Sequence, residues 1–108
     1  MKILLLVTAF NSQTQAVYTR LQDRGDDVSV CFAISEVQML EEIEDFVPEL
    51  ILCPFLKRYL PASIYESYPT YIFHPGPRGD RGPNALEYAL QSHTKEWGLV
   101  ILRANSEY

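Results

Sequence analysis

His74 is the residue of this chain best placed to do chemistry. It closes an apolar run, Thr70 to Phe73, and opens the loop Pro75-Gly76-Pro77-Arg78-Gly79-Asp80-Arg81-Gly82-Pro83. Three prolines and three glycines fall within those nine residues. Proline fixes φ and glycine opens the left-handed region, so the loop takes a backbone path few other sequences would take. An imidazole titrates near neutrality and can give or take a proton there. Gly76, Gly79 and Gly82 expose backbone N–H groups, Arg78 and Arg81 add positive charge, and a helix begins near Pro83. Such a setting favours an oxyanion or a carboxylate. Asp80, inside Gly-Asp-Arg-Gly, reads first as a turn-setting residue. Two further stretches carry polar chemistry. Pro54-Phe55-Leu56-Lys57-Arg58 puts two cations beside two apolar side chains. Phe10-Asn11-Ser12-Gln13 opens a helix, whose amino terminus attracts anions, although a plain helix cap explains Asn11 equally well. His93 reads as a helix carboxyl-terminal residue and Trp97 as core.

Strands and helices must deliver these residues to one place. Ile3 to Val7 is a continuous aliphatic run, as expected of a strand covered on both faces. A helix follows from a cap at Asn11 or Ser12 to Arg24, with Gly25 as its stop and Val17, Tyr18 and Leu21 as its apolar stripe. Asp26-Asp27 reads as a turn and Val28 to Phe32 as a second strand. Ser35 and Gln38 form a capping box for a helix to Phe46. Its stripe is Val37, Leu40, Ile43 and Phe46, its wet side Glu41, Glu42, Glu44 and Asp45, and Pro48 ends it. Leu50 to Cys53 is a third strand and Pro54 to Arg58 a loop. Pro61 to Ser67 reads as a short helix with Pro61 in its first position. Thr70 to Phe73 is a fourth strand, Asn84 to Ser92 a helix and Trp97 to Arg103 a fifth strand. The alternation predicts a three-layer α/β fold with a mainly parallel, doubly wound, Rossmann-like sheet. His74 then falls at a strand's carboxyl end, where open α/β sheets bind ligands.

Composition narrows the partners. One domain of 108 residues with a net charge of −5 offers no basic face for nucleic acid or an anionic membrane. No apolar run reaches the roughly 18 residues of a membrane span, and the opening ten residues read as a strand rather than a signal peptide. Cys31 and Cys53 lie in apolar runs without zinc-like spacing, so no metal is expected and both read as reduced, buried thiols in a cytoplasmic protein. The dinucleotide fingerprint G-x-G-x-x-G is absent.

Ile72-Phe73-His74-Pro75-Gly76, then Arg81-Gly82-Pro83, then Trp97-Gly98-Leu99-Val100, resembles the amino-terminal domain of folate-dependent formyltransferases. Within that family the chain looks like the amino-terminal domain of HypX/HoxX-type hydrogenase maturation factors. The shared stretches are Leu5-Leu6-Val7-Thr8-Ala9-Phe10-Asn11-Ser12, Pro54-Phe55-Leu56-Lys57-Arg58 and His74 through Pro83. The resemblance covers almost the whole chain. It implies formyl transfer from 10-formyltetrahydrofolate by an asparagine, a histidine and an aspartate. The histidine matches His74, whose imidazole would stabilise the tetrahedral oxyanion. Ile72 occupies the asparagine's position and cannot donate a hydrogen bond, which favours an acceptor other than a simple amine. The aspartate would follow Tyr108, at the edge of Asn105-Ser106-Glu107-Tyr108, so the domain is expected to be incomplete at its carboxyl end. By the same resemblance, Pro54 to Arg58 lines the pterin pocket mainly with backbone groups, with Phe55 and Leu56 as walls and Lys57 or Arg58 toward a glutamate tail or an acceptor phosphate, although for those two side chains a basic surface loop balancing an acidic chain is the simpler reading. Phe10, Asn11 and Ser12 would meet the acceptor's phosphates.

Three functions follow from the resemblance. One is formyl transfer to a coenzyme A-type thiol, with a crotonase-like domain of the same parent protein then releasing carbon monoxide for the hydrogenase maturation machinery. Another is hydrolysis of 10-formyltetrahydrofolate, separable by assay of freed formate. The third is a folate- or nucleotide-binding module without catalysis. These 108 residues alone, lacking the aspartate and part of the sheet's cover, are expected to self-associate as a homodimer without turning over formyltetrahydrofolate. Light scattering at micromolar concentration and a formyl-transfer assay check this; a monomer that turns over would contradict it.

Overall fold

The computed structural model describes residues 1–73 and the backbone of residues 101–103. His74, Gly76, Arg78, Gly79, Asp80, Arg81 and Gly82 lie outside the described residues, as do the expected helix Asn84 to Ser92, His93, Trp97 and the tail after Arg103.

In chain order the elements are β1 (Lys2–Val7), α1 (Ser12–Arg24), β2 (Asp27–Phe32), α2 (Glu36–Phe46), β3 (Leu50–Cys53), α3 (Ala62–Tyr65), β4 (Thr70–Phe73) and β5 (Ile101–Arg103). The strands form one sheet in the order β2-β1-β3-β4-β5. β2, β1, β3 and β4 are parallel neighbours. β1 lies second in that order, paired with β2 through Ile3↔Val28 and with β3 through Ile3↔Leu50. A strand so enclosed must be apolar on both faces, and Ile3 through Val7 are all buried.

Alternation along the strands sorts the core into two layers. Ile3, Leu5, Val7, Leu50, Leu52, Tyr71 and Phe73 share one face with Val17 and Leu21 of α1. Leu4, Leu6, Cys31, Ile51 and Cys53 share the other with Met39 and Ile43 of α2, and with Leu60 and Ile64. Two helical layers with the sheet between them make the expected three-layer α/β architecture.

Both long helices begin and end as their sequences dictate. The Asn11 side chain accepts the Thr14 N–H at 2.9 Å, and Gly25 closes α1 in the left-handed region at φ 92°. Ser35 and Gln38 form the reciprocal capping box of α2: the Gln38 N–H donates to Ser35 Oγ at 3.1 Å, and the Ser35 N–H donates to Gln38 Oε1 at 3.2 Å.

Four expectations differ from the fold. Val37 is 67% exposed, whereas Met39, absent from the expected stripe, is fully buried. A helix turns about 100° per residue, so a series spaced by three drifts back about 60° at each step. Val37 and Phe46 are three such steps apart and lie on opposite sides of α2. Pro61 caps α3 rather than opening it: its ψ of 140° is extended, because proline restrains φ and leaves ψ free. Asp27 belongs to β2 rather than to a turn, and Asp26 is buried where the Arg24 guanidinium Nε donates to it at 2.8 Å. β5 runs antiparallel to β4, with Ile72 opposite Leu102. Alternating elements imply a parallel strand only when the connection crosses over the sheet, and an antiparallel outer strand is common on otherwise parallel sheets.

Val47 ends α2 in the left-handed region at φ 54°, an unfavourable conformation for a β-branched residue, and is 60% exposed. Pro48 after it bars continuation of the helix. Val47→Gly should relieve that strain with little loss of packing. The expected gain is about 1 kcal/mol, or about 4–8 °C in Tm for a domain of this size, read by thermal denaturation. A lower melting temperature would contradict the strain.

Candidate functional site

The strand order sets where a crevice can open. After β1 the chain steps outward to β2, and after β2 it returns to the other side of β1 to form β3. The β1–α1 and β3–α3 connections therefore diverge at the carboxyl ends of β1 and β3. This is the switch point at which open α/β sheets receive ligands.

Thr8 through Asn11 form one wall. Thr8, Ala9 and Phe10 are exposed. The Phe10 ring packs edge-on against Tyr18, with centroids 5.8 Å apart and planes at 77°. Asn11 Oδ1 is committed to capping α1, and Ser12 is the helix's exposed first residue. Thr14, buried in the first turn, donates its hydroxyl to the Ala9 carbonyl at 3.4 Å and so ties the wall to the helix.

The β3–α3 loop forms the other wall. Pro54 is buried, Phe55 and Leu56 are half-buried, and Lys57, Arg58 and Tyr59 are exposed. The Lys57 ammonium sits 5.4 Å from the centre of the Phe55 ring, a cation–π arrangement. Arg58 is spent differently. Its Nη1 donates to the Ile34 carbonyl at 2.6 Å and to that of Ala33 at 3.4 Å, bracing the loop against the β2–α2 connection. The two walls join at Thr8, which bonds to Phe55 and Lys57 at 2.7 Å each. The sequence places Thr8 in a shared stretch but gives it no role of its own. Its signal is a lone hydroxyl residue directly after the buried run of β1.

β4 ends beside β3. Ile72 is opposite Cys53 of β3 and Leu102 of β5, half-buried against the face that holds Leu56 and Tyr68. An apolar side chain at that position adds wall and no hydrogen bond. His74 follows Phe73 in sequence and lies outside the described residues with the rest of its loop. Among the described residues there is no cluster of His, Cys, Asp or Glu able to hold a metal ion, and no helix is long and apolar enough to cross a membrane. A separate open groove runs along the outer face of α1, from Ser12 past Thr19 and Arg20 to Asp23.

No family model matches the chain. Over all 108 residues it is 42% identical to the hydrogenase maturation factor HoxX of Bradyrhizobium diazoefficiens. Among solved structures it is similar to HypX from Aquifex aeolicus in complex with tetrahydrofolic acid: 44% identity, a TM-score of 0.78 and coverage of the whole chain. The chain spans about a fifth of the length of these relatives, 19% in each case. Methionyl-tRNA formyltransferase from Clostridium thermocellum shares the fold, with a TM-score of 0.63 at 17% identity over 98% of this chain and 47% of that one. The resemblance read from the sequence is borne out: the chain is similar throughout to HypX/HoxX-type maturation factors, and its sheet is that of formyltransferase amino-terminal domains.

The two thiols stand apart from this chemistry. Both are free and buried. Burial pushes the Cys31 thiol up to about 12, and the neighbouring Glu42 carboxylate pushes the same way. Burial alone raises Cys53. A thiol whose folded pKa lies above its unfolded value keeps its proton in the native state, so its contribution to stability falls once pH rises above about 9. Neither is a nucleophile at neutral pH. An alkylating reagent at pH 8 should modify neither cysteine in the native protein and both in denaturant, counted by mass spectrometry; rapid native labelling would contradict their burial.

Proposed function

We propose that this chain is the formyl-donor half of a maturation enzyme: it binds 10-formyltetrahydrofolate in the crevice between β1 and β3 and passes the formyl group to a thiol. One observation carries the reading. The HypX structure solved with tetrahydrofolic acid is 44% identical to this chain along its whole length. The described part of the crevice suits such a ligand. Phe55, Leu56 and Ile72 offer apolar walls for a flat ring, and Lys57 offers a cation at the rim.

In the proposed reaction the acceptor sulfur attacks the formyl carbon on N10 and forms a tetrahedral oxyanion. The His74 imidazole donates a hydrogen bond to that oxygen. Collapse expels N10, which takes a proton and leaves as tetrahydrofolate, while the formyl group departs as a thioester. Ile72, standing where the family has asparagine, leaves the oxyanion one donor fewer. A thiolate is a stronger nucleophile than a neutral amine and tolerates that loss better. Phe10, Asn11 and Ser12 stand beside the crevice, where a coenzyme A-type acceptor could rest its phosphates. A crotonase-like domain would then split the formyl thioester into carbon monoxide and free thiol, for hydrogenase maturation. Ile72 disfavours a simple amine and so leaves water as the other acceptor, which gives formate; this is the second reading.

The full-length protein, incubated with 10-formyltetrahydrofolate and coenzyme A, should yield a formyl thioester by mass spectrometry; formate alone would select the hydrolase. His74→Ala should slow product formation by roughly 100-fold or more and leave folate affinity little changed. Unchanged turnover would remove His74 from the mechanism, and folate binding without either product would make the domain a binding module.

A further inference from the structure

Between buried Pro54 and buried Leu60, the β3–α3 loop has five residues that are half-buried or exposed. Such a segment has little packing of its own to hold its path. Thr8 supplies a hold. Its N–H donates to the Phe55 carbonyl at 2.7 Å, and its hydroxyl oxygen accepts the Lys57 N–H at 2.7 Å. The residue before it, Val7, is fully buried in β1 and paired with Phe32. The clamp is therefore anchored on one of the most enclosed strands of the sheet. Any residue at position 8 could donate its main-chain N–H to Phe55. Accepting from Lys57 needs an oxygen one carbon from the backbone, which only serine or threonine provides as a hydroxyl. The pair fixes the backbone on both sides of Leu56. Arg58 braces the next step of the loop through the Ala33 and Ile34 carbonyls, so Thr8 controls a short span, residues 55–57.

We propose that Thr8 is a positioning residue for the substrate loop: by accepting the Lys57 N–H it holds residues 55–57 in the conformation that receives the folate ring. This rests on the folate reading above and extends it to a residue that acts through the loop. An unclamped loop would sample several paths. Ligand binding would then have to select one of them, which lowers apparent affinity by the fraction of time that path is populated.

The test compares Thr8→Val, which keeps the shape and removes the acceptor, with Thr8→Ser, which keeps the hydroxyl, both in the full-length protein. Two quantities are measured: the Kd for tetrahydrofolate by titration, and hydrogen exchange of the Lys57 amide. Thr8→Val should bind about three- to tenfold more weakly, the net worth of one hydrogen bond, and exchange Lys57 faster. Thr8→Ser should match the wild type in both. A wild type that binds, with Thr8→Val binding equally well, would overturn the positioning role and leave the folate reading intact. Equal losses in both variants would show that keeping the hydroxyl does not preserve binding, and would overturn its role. A wild type that does not bind tetrahydrofolate would overturn the folate reading and this role with it.

Discussion

The enclosure of β1 is the constraint on which the molecule depends. It is hydrogen-bonded to β2 on one edge and β3 on the other, and α1 and α2 cover its two faces. Ile3, Leu4, Leu5, Leu6 and Val7 are all buried as a result. Each such side chain contributes about 1.5–3 kcal/mol relative to an exposed one, so five adjacent residues tolerate no polar replacement. The same enclosure forces the chain to leave β1 toward one side and return on the other. The β1–α1 and β3–α3 connections part at that divergence, and the proposed crevice lies there, beside the rim of β1. Thr8, one residue past the buried run, inherits that rigidity and passes it to the loop from β3.

Much of this was legible before any coordinates. An aliphatic run without alternation marks β1 as a strand covered on both faces, and Leu50 to Cys53 reads as a short third strand. Asn11, Gly25, Ser35 and Gln38 bounded the long helices because capping is local chemistry, decided within four residues. Tertiary choices were not legible. A three-residue spacing in α2 offered Val37 as core, but the helix period lets only one end of such a series face the sheet, and Met39 took the buried place. Nothing local states the direction of β5, which depends on where its connection runs. The partners of Arg58 were not legible either: its guanidinium donates to the Ala33 and Ile34 carbonyls, about 24 residues away in sequence. Thr8 has no role legible in the sequence because its partners, Phe55 and Lys57, are neighbours only once β1 and β3 pair.

The site is thus a division of labour between rigid and adjustable parts. β1 and its clamp hold the loop backbone, while Phe55, Leu56 and Ile72 present apolar surface without hydrogen-bonding demands of their own. Lys57 stays at the rim, its ammonium over the Phe55 ring. In the proposed function this crevice grips a flat heterocycle through backbone groups and contact area and leaves the reacting centre to residues from another loop. His74, next in sequence after β4, is the proposed source of that chemistry. The separation explains why replacing an oxyanion donor and loosening the loop should affect different constants.

Isotope-labelled protein titrated with tetrahydrofolate would show which backbone amides respond. The shifts should concentrate at Thr8, Phe55, Leu56 and Lys57, where the β1 and β3 ends meet, while amides along the outer face of α1, such as Thr19 and Asp23, stay in place. Shifts concentrated on that outer face, with the strand ends silent, would contradict binding between β1 and β3.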